Sequence, residues 1–293
     1  MRITQRAVAL TSLQGLNRNL DAVGRLQHQL TSGRLINAPS DSPTGTNRAM
    51  QARAEIASVA QEARNISDGQ NWLEQTDSTL QNMINMTRKI RDLTVQGLSS
   101  GSGSEASRSA LATEVASLRE GLLTLANTNV QGRPLFGGVT PNSKAYDSTG
   151  AYVGLAGPPV TRRVSETEVL RVDTTGPEAF GTPGDDLFAV VARIATDVTT
   201  SPAALETHLA DLDAIMNTMY KAVADVGARA NRLDGLARIN FDRSLALNSR
   251  LAETENIDLP NTIMQLEMQR VGYEAALAAT AKAISPTLLD YLR

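Results

Sequence analysis

The sequence predicts a mainly α protein: an elongated antiparallel bundle of long coiled-coil helices formed by both termini, with a small β-rich insert domain in the middle. Three observations predict it. Near the start, Leu13, Leu16, Leu20, Val23, Gln27 and Leu30 recur at alternating three- and four-residue steps, which is the spacing of a coiled-coil seam. Near the finish, Leu259, Ile263, Leu266, Arg270, Tyr273, Leu277, Thr280 and Ile284 repeat the pattern. Between them, glycine and proline gather in one central stretch, while aromatics are only 3% of the 293 residues, which suits packed helices better than a bulky interior. The chain is therefore expected to leave as helix, turn round and return as helix. Residues 1–42 with 258–293 would form a terminal coiled-coil domain, 43–130 with 186–257 a helical rod domain, and 131–185 the outer insert.

Each element follows from local chemistry. The first helix should run from about residue 5 to Thr31 and stop at Ser32-Gly33, where glycine can take the left-handed conformation. After a polar connector from Arg34 to Asp41, Ser42 is a candidate N-cap and Pro43 fits the first helical position, opening a second helix to Gly97. Its seam reads Ile56, Val59, Ala63, Ile66, Leu73 and Leu80. Leu98 to Ser104 is a Gly/Ser turn, and Leu111, Val115, Leu118, Leu122 and Leu125 mark a third helix that stops before Gly132. From Gln131 to Asp185 the helical period is lost. Prolines and glycines punctuate short runs such as Thr161–Val164 and Glu168–Val172, which read as strands. Leu187–Val198 is a short helix. Ser201-Pro202 then caps the longest helix, about 50 residues ending near Asn256. Asp258 with Pro260 restarts the last one, which Pro286 is expected to interrupt.

Composition narrows the chemistry. The net charge of -3 comes from 28 basic and 31 acidic residues without a Lys/Arg block, so a phosphate backbone has nothing to track and nucleic acid is not an expected partner. No cysteine is present, which removes thiol catalysis, disulfides and Cys-based zinc. No stretch approaches the roughly 20 apolar residues of a membrane span, so membrane insertion is not expected, and the apolar run Ala7–Leu10 is too short for a cleavable signal. Gly101-Ser102-Gly103-Ser104-Glu105-Ala106 fits a loose dinucleotide pattern but follows a helix instead of a strand, and reads as a linker. His28 and His208 lie in helices with no second histidine one turn away and read as surface residues. Asp185-Asp186 suits a helix N-terminus. Met83, Met86, Met216, Met219, Met264 and Met268 suit core and interface filling. No catalytic, cofactor or metal set converges, and none is expected.

The two seams have a further implication. A lone pair of helices buries its apolar stripe only partly, so the ends should order fully only against neighbours, which makes the seam residues a candidate assembly interface.

One stretch is more specific. Leu30-Thr31-Ser32-Gly33-Arg34-Leu35-Ile36-Asn37-Ala38-Pro39-Ser40-Asp41-Ser42-Pro43 resembles the N-terminal signature of the bacterial flagellin superfamily. Ile90-Arg91-Asp92-Leu93-Thr94-Val95-Gln96 and Gly227-Ala228-Arg229-Ala230-Asn231-Arg232-Leu233 resemble that superfamily's rod and return helices. The likeness covers about residues 1–135 and 186–293. The signature positions are Ser32, Gly33, Arg34, Asn37, Pro39, Ser40, Asp41, Pro43, Arg91, Asn231, Arg232, Asp290 and Tyr291. Ser42 departs from the pattern, which commonly has a second acidic residue there. The opening Met1-Arg2-Ile3-Thr4, Pro43, and the ending Leu288-Leu289-Asp290-Tyr291-Leu292 favour the hook-associated branch over a filament flagellin, the alternative. The resemblance implies a structural, non-enzymatic subunit, secreted through the flagellar type III export apparatus with an export chaperone. It would sit in the extracellular flagellum at the hook-filament junction, with copies of itself, hook-associated protein 1 and flagellin as partners. A cytoplasmic helical scaffold is the reading from outside that family.

Overall fold

A computed structural model describes residues 2–99, 104–141 and 144–284. It contains helices α1 (Arg2–Ser32), α2 (Pro43–Ser99), α3 (Glu105–Ala126), α4 (Gly176–Phe180), α5 (Leu187–Thr200), α6 (Leu205–Glu255) and α7 (Leu259–Ile284). Four short strands lie between α3 and α4: β1 (Asn129–Val130), β2 (Arg133–Pro134), β3 (Thr161–Arg163) and β4 (Val169–Arg171). The predicted order of the long helices holds, with three differences: α2, at 57 residues, is longer than α6, at 51; the insert contains the short helix α4; and Pro202–Ala204 form a 3-10 turn that Ser201 does not cap with its side chain, so α6 begins at Leu205. The chain divides into two compact units, Met1–Ser58 with Ser244–Arg293, and Val59–Arg243. Both boundaries fall inside helices, α2 and α6, and not at the connector, because those helices run on without a break.

In the first unit, α1 and α7 pack against each other. Asn19 accepts a hydrogen bond from Gln269 at 3.2 Å, and Leu35 N–H donates to the Glu255 carbonyl at 2.6 Å, which sets the two helices antiparallel. Two caps anticipated from sequence are present. Ser42 Oγ accepts from Gly45 N–H at 3.1 Å to start α2, and Asp258 Oδ1 accepts from Asn261 N–H at 3.3 Å to start α7. Pro286 and the Gly101–Gly103 part of the Gly/Ser turn lie outside the described residues.

The second unit has a heptad core. On α2 the buried positions Ile66, Leu73, Leu80, Thr87 and Thr94 alternate with Thr76, Met83 and Ile90. Three of these are threonines, which satisfy themselves: Thr76, Thr87 and Thr94 each donate to the carbonyl four residues back at 2.8 Å, leaving a methyl for the neighbours. On α6, Leu205, Leu212, Met219, Val226 and Leu233 are buried at seven-residue steps. Polar pairs fix the register of α2 against α6, in opposite directions along the two helices. Gln70 donates to Asp234 at 2.6 Å, Arg88 to the Tyr220 hydroxyl at 2.9 Å, and Arg91 Nε to Asp213 at 2.7 Å. Gly69 brings α2 close to Leu233 and Val172, leaving an added Cβ only 3.0 Å from Leu233. α3 and α5 complete the bundle, with Arg119 Nε donating to the Phe188 carbonyl at 3.1 Å. Trp72, the only tryptophan in the sequence, is buried there, and its indole N–H has no partner among the described residues.

The insert belongs to this second unit and shares its core. It holds two two-stranded antiparallel sheets, β1–β2 and β3–β4, with Thr161 opposite Arg171 and Arg163 opposite Val169. Its interior is aromatic: Phe136, Tyr146, Tyr152, Phe180 and Phe188 meet edge to face or tilted, with centroids as close as 4.5 Å for Tyr146–Phe188. Burial pushes the Tyr146 hydroxyl far above its ordinary pKa. Asp186 caps α5 by accepting from Ala189 N–H at 2.9 Å, and Asp185 pairs with Arg193 at 3.2 Å.

Candidate assembly surface

The connector between α1 and α2 is built from the signature residues. Gly33, at φ 69°, ends α1 with its N–H on the Gln29 carbonyl at 2.8 Å. Ser32 Oγ accepts from Arg34 N–H at 3.2 Å, and Asn37 Nδ2 donates to the Arg34 carbonyl at 3.1 Å. Asp41 then closes the turn that contains Pro39 and Ser40. Its carboxylate accepts from Ala38 N–H at 2.9 Å and Asn37 N–H at 3.0 Å, and these amides hold the carboxyl below its ordinary pKa. Ile36 covers Gly45 in the first turn of α2, where a Cβ would lie 2.5 Å from the Ile36 methyl. The chain between α6 and α7 runs alongside: Ile257 N–H donates to the Gly33 carbonyl at 3.2 Å, Arg34 bridges to Asn256, and Arg53 reaches Glu255 at 2.8 Å. The signature thus joins both chain reversals of this unit. A cleft of about 1620 Å³ lies beside it, lined by Arg18, Arg25 and Arg48 among others.

Three other signature residues, Arg91, Asn231 and Arg232, fall in the second unit. Arg91 grips Asp213 with two nitrogens, at 2.7 and 3.3 Å, and Arg232 grips Glu168 the same way at 3.0 Å, between α6 and the β3–β4 turn. Each carboxylate raises the pKa of its guanidinium. Asn231 is exposed on α6. Asp290 and Tyr291 lie outside the described residues.

The terminal seams divide. Val23 is buried, and Leu16, Leu30, Leu266 and Tyr273 are half-buried. Leu13, Leu20, Leu259, Ile263 and Leu277 are instead 44 to 53% exposed. The side chain of Ile284 lies outside the described residues. The covered stripe is offset from the predicted one: Ser12, Leu16, Asn19, Val23, Leu26 and Leu30 on α1 face Thr262, Leu266, Gln269, Tyr273, Ala276 and Thr280 on α7. The physical reason is that both helices carry more apolar positions than one seam can bury, so half of the large residues stay outside.

Four further large apolar residues of α1 and α7 are exposed: Leu10, Met264, Met268 and Val271, of which the sequence singles out only the two methionines. At about 100° per residue, Met264, Met268 and Val271 project from the side of α7 opposite to Leu266 and Tyr273. Met264 and Met268 are surface residues, Met86 is half-buried, and Met83, Met216 and Met219 are buried. The signal that would have found this face is the repeat Met264, Met268, Val271, Ala275, a second apolar stripe on the same helix. His208 also departs from expectation. It is buried at the α5–α6 junction, with Nε2 2.7 Å from Asp197 Oδ2. Among the described residues, no group of His, Cys, Asp and Glu is arranged to hold a metal ion.

A family profile for the bacterial flagellin N-terminal helical region matches residues 3–140. Flagellar hook-associated protein 3 of Escherichia coli K12 is 25% identical over 95% of this chain and 96% of that protein, and its Salmonella typhimurium LT2 counterpart is 24% identical over 94% and 95%. A flagellin of Listeria innocua is 23% identical over 100% of this chain and 99% of its own. Two solved structures share the fold. FlgL of Bacillus cereus has a TM-score of 0.61 at 21% identity, covering 69% of this chain and 99% of that one. Hook-associated protein 3 of Legionella pneumophila has 0.60 at 17%, covering 70% and 99%.

Proposed function

We propose, from the premise that this chain is a bacterial flagellin-superfamily protein, that it is the hook-associated structural subunit joining the flagellar hook to the filament. The observation that carries this is the near full-length similarity to hook-associated protein 3 of two bacteria, in chains of matching extent. The chain has no enzymatic role on this reading. It is secreted by the type III export apparatus with an export chaperone, and its partners are copies of itself, hook-associated protein 1 and flagellin.

Assembly runs through the terminal helices. α7 is apolar on two opposite sides, and α1 covers one of them. A helix that is apolar all round belongs in an interior, so the second side, together with Leu10, Leu13 and Leu20 on α1, is covered by sister molecules. Contacts of this kind repeat head to tail and build a ring or a helical layer. The seam and signature residues are then the interface and its support: Asp41 and Gly33 fix the chain reversals, while Arg91 and Arg232 hold the second unit in register.

The whole-length similarity to a Listeria innocua flagellin supports the alternative, a filament subunit. Purified protein added to flagellin filament seeds distinguishes the two. The junction reading expects the seeds not to lengthen when this chain is the only soluble subunit; lengthening would replace it with the filament reading.

A further inference from the structure

We propose that Met264 and Met268 form a paired oxidation site whose conversion to sulfoxide blocks coverage of the outer face of α7. The proposal rests on the reading that sister copies cover that face. The two side chains are 59 and 65% exposed and stand one helical turn apart, beside Val271, itself 64% exposed. Three buried methionines of the second unit provide the contrast: Met83 and Met219 are fully buried and Met216 is 9% exposed, while Met50 on α2, 62% exposed, is off α7 and is kept in the variant below as its internal control. Susceptibility to oxidation follows access, so a soluble oxidant reaches the α7 pair well before those three.

The reagent class is a hydroperoxide. The thioether sulfur attacks one peroxide oxygen, an S–O bond forms as the O–O bond breaks, and with hydrogen peroxide the other oxygen leaves as water. Sulfur loses two electrons and the peroxide gains them. The product replaces a flexible apolar side chain with a polar, chiral S=O group. Two such groups in adjacent turns cannot be buried against an apolar neighbour without leaving their oxygens unpaired. The α1-facing side, with Leu266 and Tyr273, carries no methionine and is untouched. The fold of the monomer therefore survives an event that removes its outer contact.

The test treats the full-length chain with limiting hydrogen peroxide. Peptide mass spectrometry should show sulfoxide at Met264 and Met268 about tenfold faster than at Met83, Met216 and Met219, with far-ultraviolet circular dichroism unchanged. Equal rates at all five would overturn the site. Sedimentation then reads self-association. Oxidised wild type should require about tenfold more protein to associate, and a Met264→Leu/Met268→Leu variant, nearly equal in volume, should resist the treatment. If that variant loses association as wild type does, the proposal is wrong while coverage of the face stands. If untreated wild type and Val271→Asp associate alike, the coverage reading falls and takes the proposal with it.

Discussion

Single side chains show where local chemistry speaks in the sequence and where it stays silent. Ser42 and Asp258 were legible as N-caps because a cap and its amides are three residues apart. His208 was not, because its partner Asp197 lies eleven positions earlier on another helix, and nothing local announces the pair. That pair carries a prediction. The hydrogen bond from His208 holds the Asp197 carboxyl below its ordinary value of 3.8. A carboxyl depressed on folding adds stability that is present above the unfolded pKa and lost as pH falls through the folded one. His208→Gln should therefore lower unfolding free energy by about 1.5 kcal/mol near pH 5, a difference that shrinks below about pH 4. The Asp197 carboxyl, followed by carbon NMR, should titrate at higher pH in the variant. An unmoved midpoint would show that the imidazole does not set it.

Among the elements, helix existence was readable throughout, and helix faces only in part. On α2 the first heptad positions were recovered, because Ile66, Leu73 and Leu80 mark them. The threonines of α2 were overlooked, since a hydroxyl that bonds its own helix behaves as an apolar residue without looking like one. On α1 and α7 the largest residues were assigned to the pairing stripe, yet Asn19 and Gln269 sit within it and Leu13 and Leu277 outside. Size alone cannot say which of two apolar sides a neighbour takes. The close approach at Gly69 is equally invisible in sequence and can be probed. Gly69→Leu has no room beside Leu233 and Val172 and should destabilise the second unit by about 1–3 kcal/mol in urea titrations followed by circular dichroism. Gly69→Ala should sit near neutral, because its gain in helix propensity offsets a small shift of the Leu233 methyl. A leucine variant as stable as wild type would mean that α2 and α6 are free to separate there.

For the molecule as a whole, the boundaries between units could not be read, because α2 and α6 cross them with no glycine, proline or change of period. What the sequence does not punctuate, the distribution of contacts divides. Val59–Arg243 contains a hydrophobic core from Ile66 to Leu236 that draws on no residue of the first unit. A chain trimmed to that span should keep a cooperative thermal transition, and a broad, non-cooperative melt would show that the terminal helices are needed to hold it. Trp72 makes the distinction observable without trimming. As the sole indole, in a dry site within that core, it should emit at short wavelength while the core is intact and shift to the red only when water reaches it. The terminal pair contributes no such chromophore, so it can melt while the emission colour stays constant. Fluorescence thus supplies a built-in reporter for one half of the protein and is blind to the other.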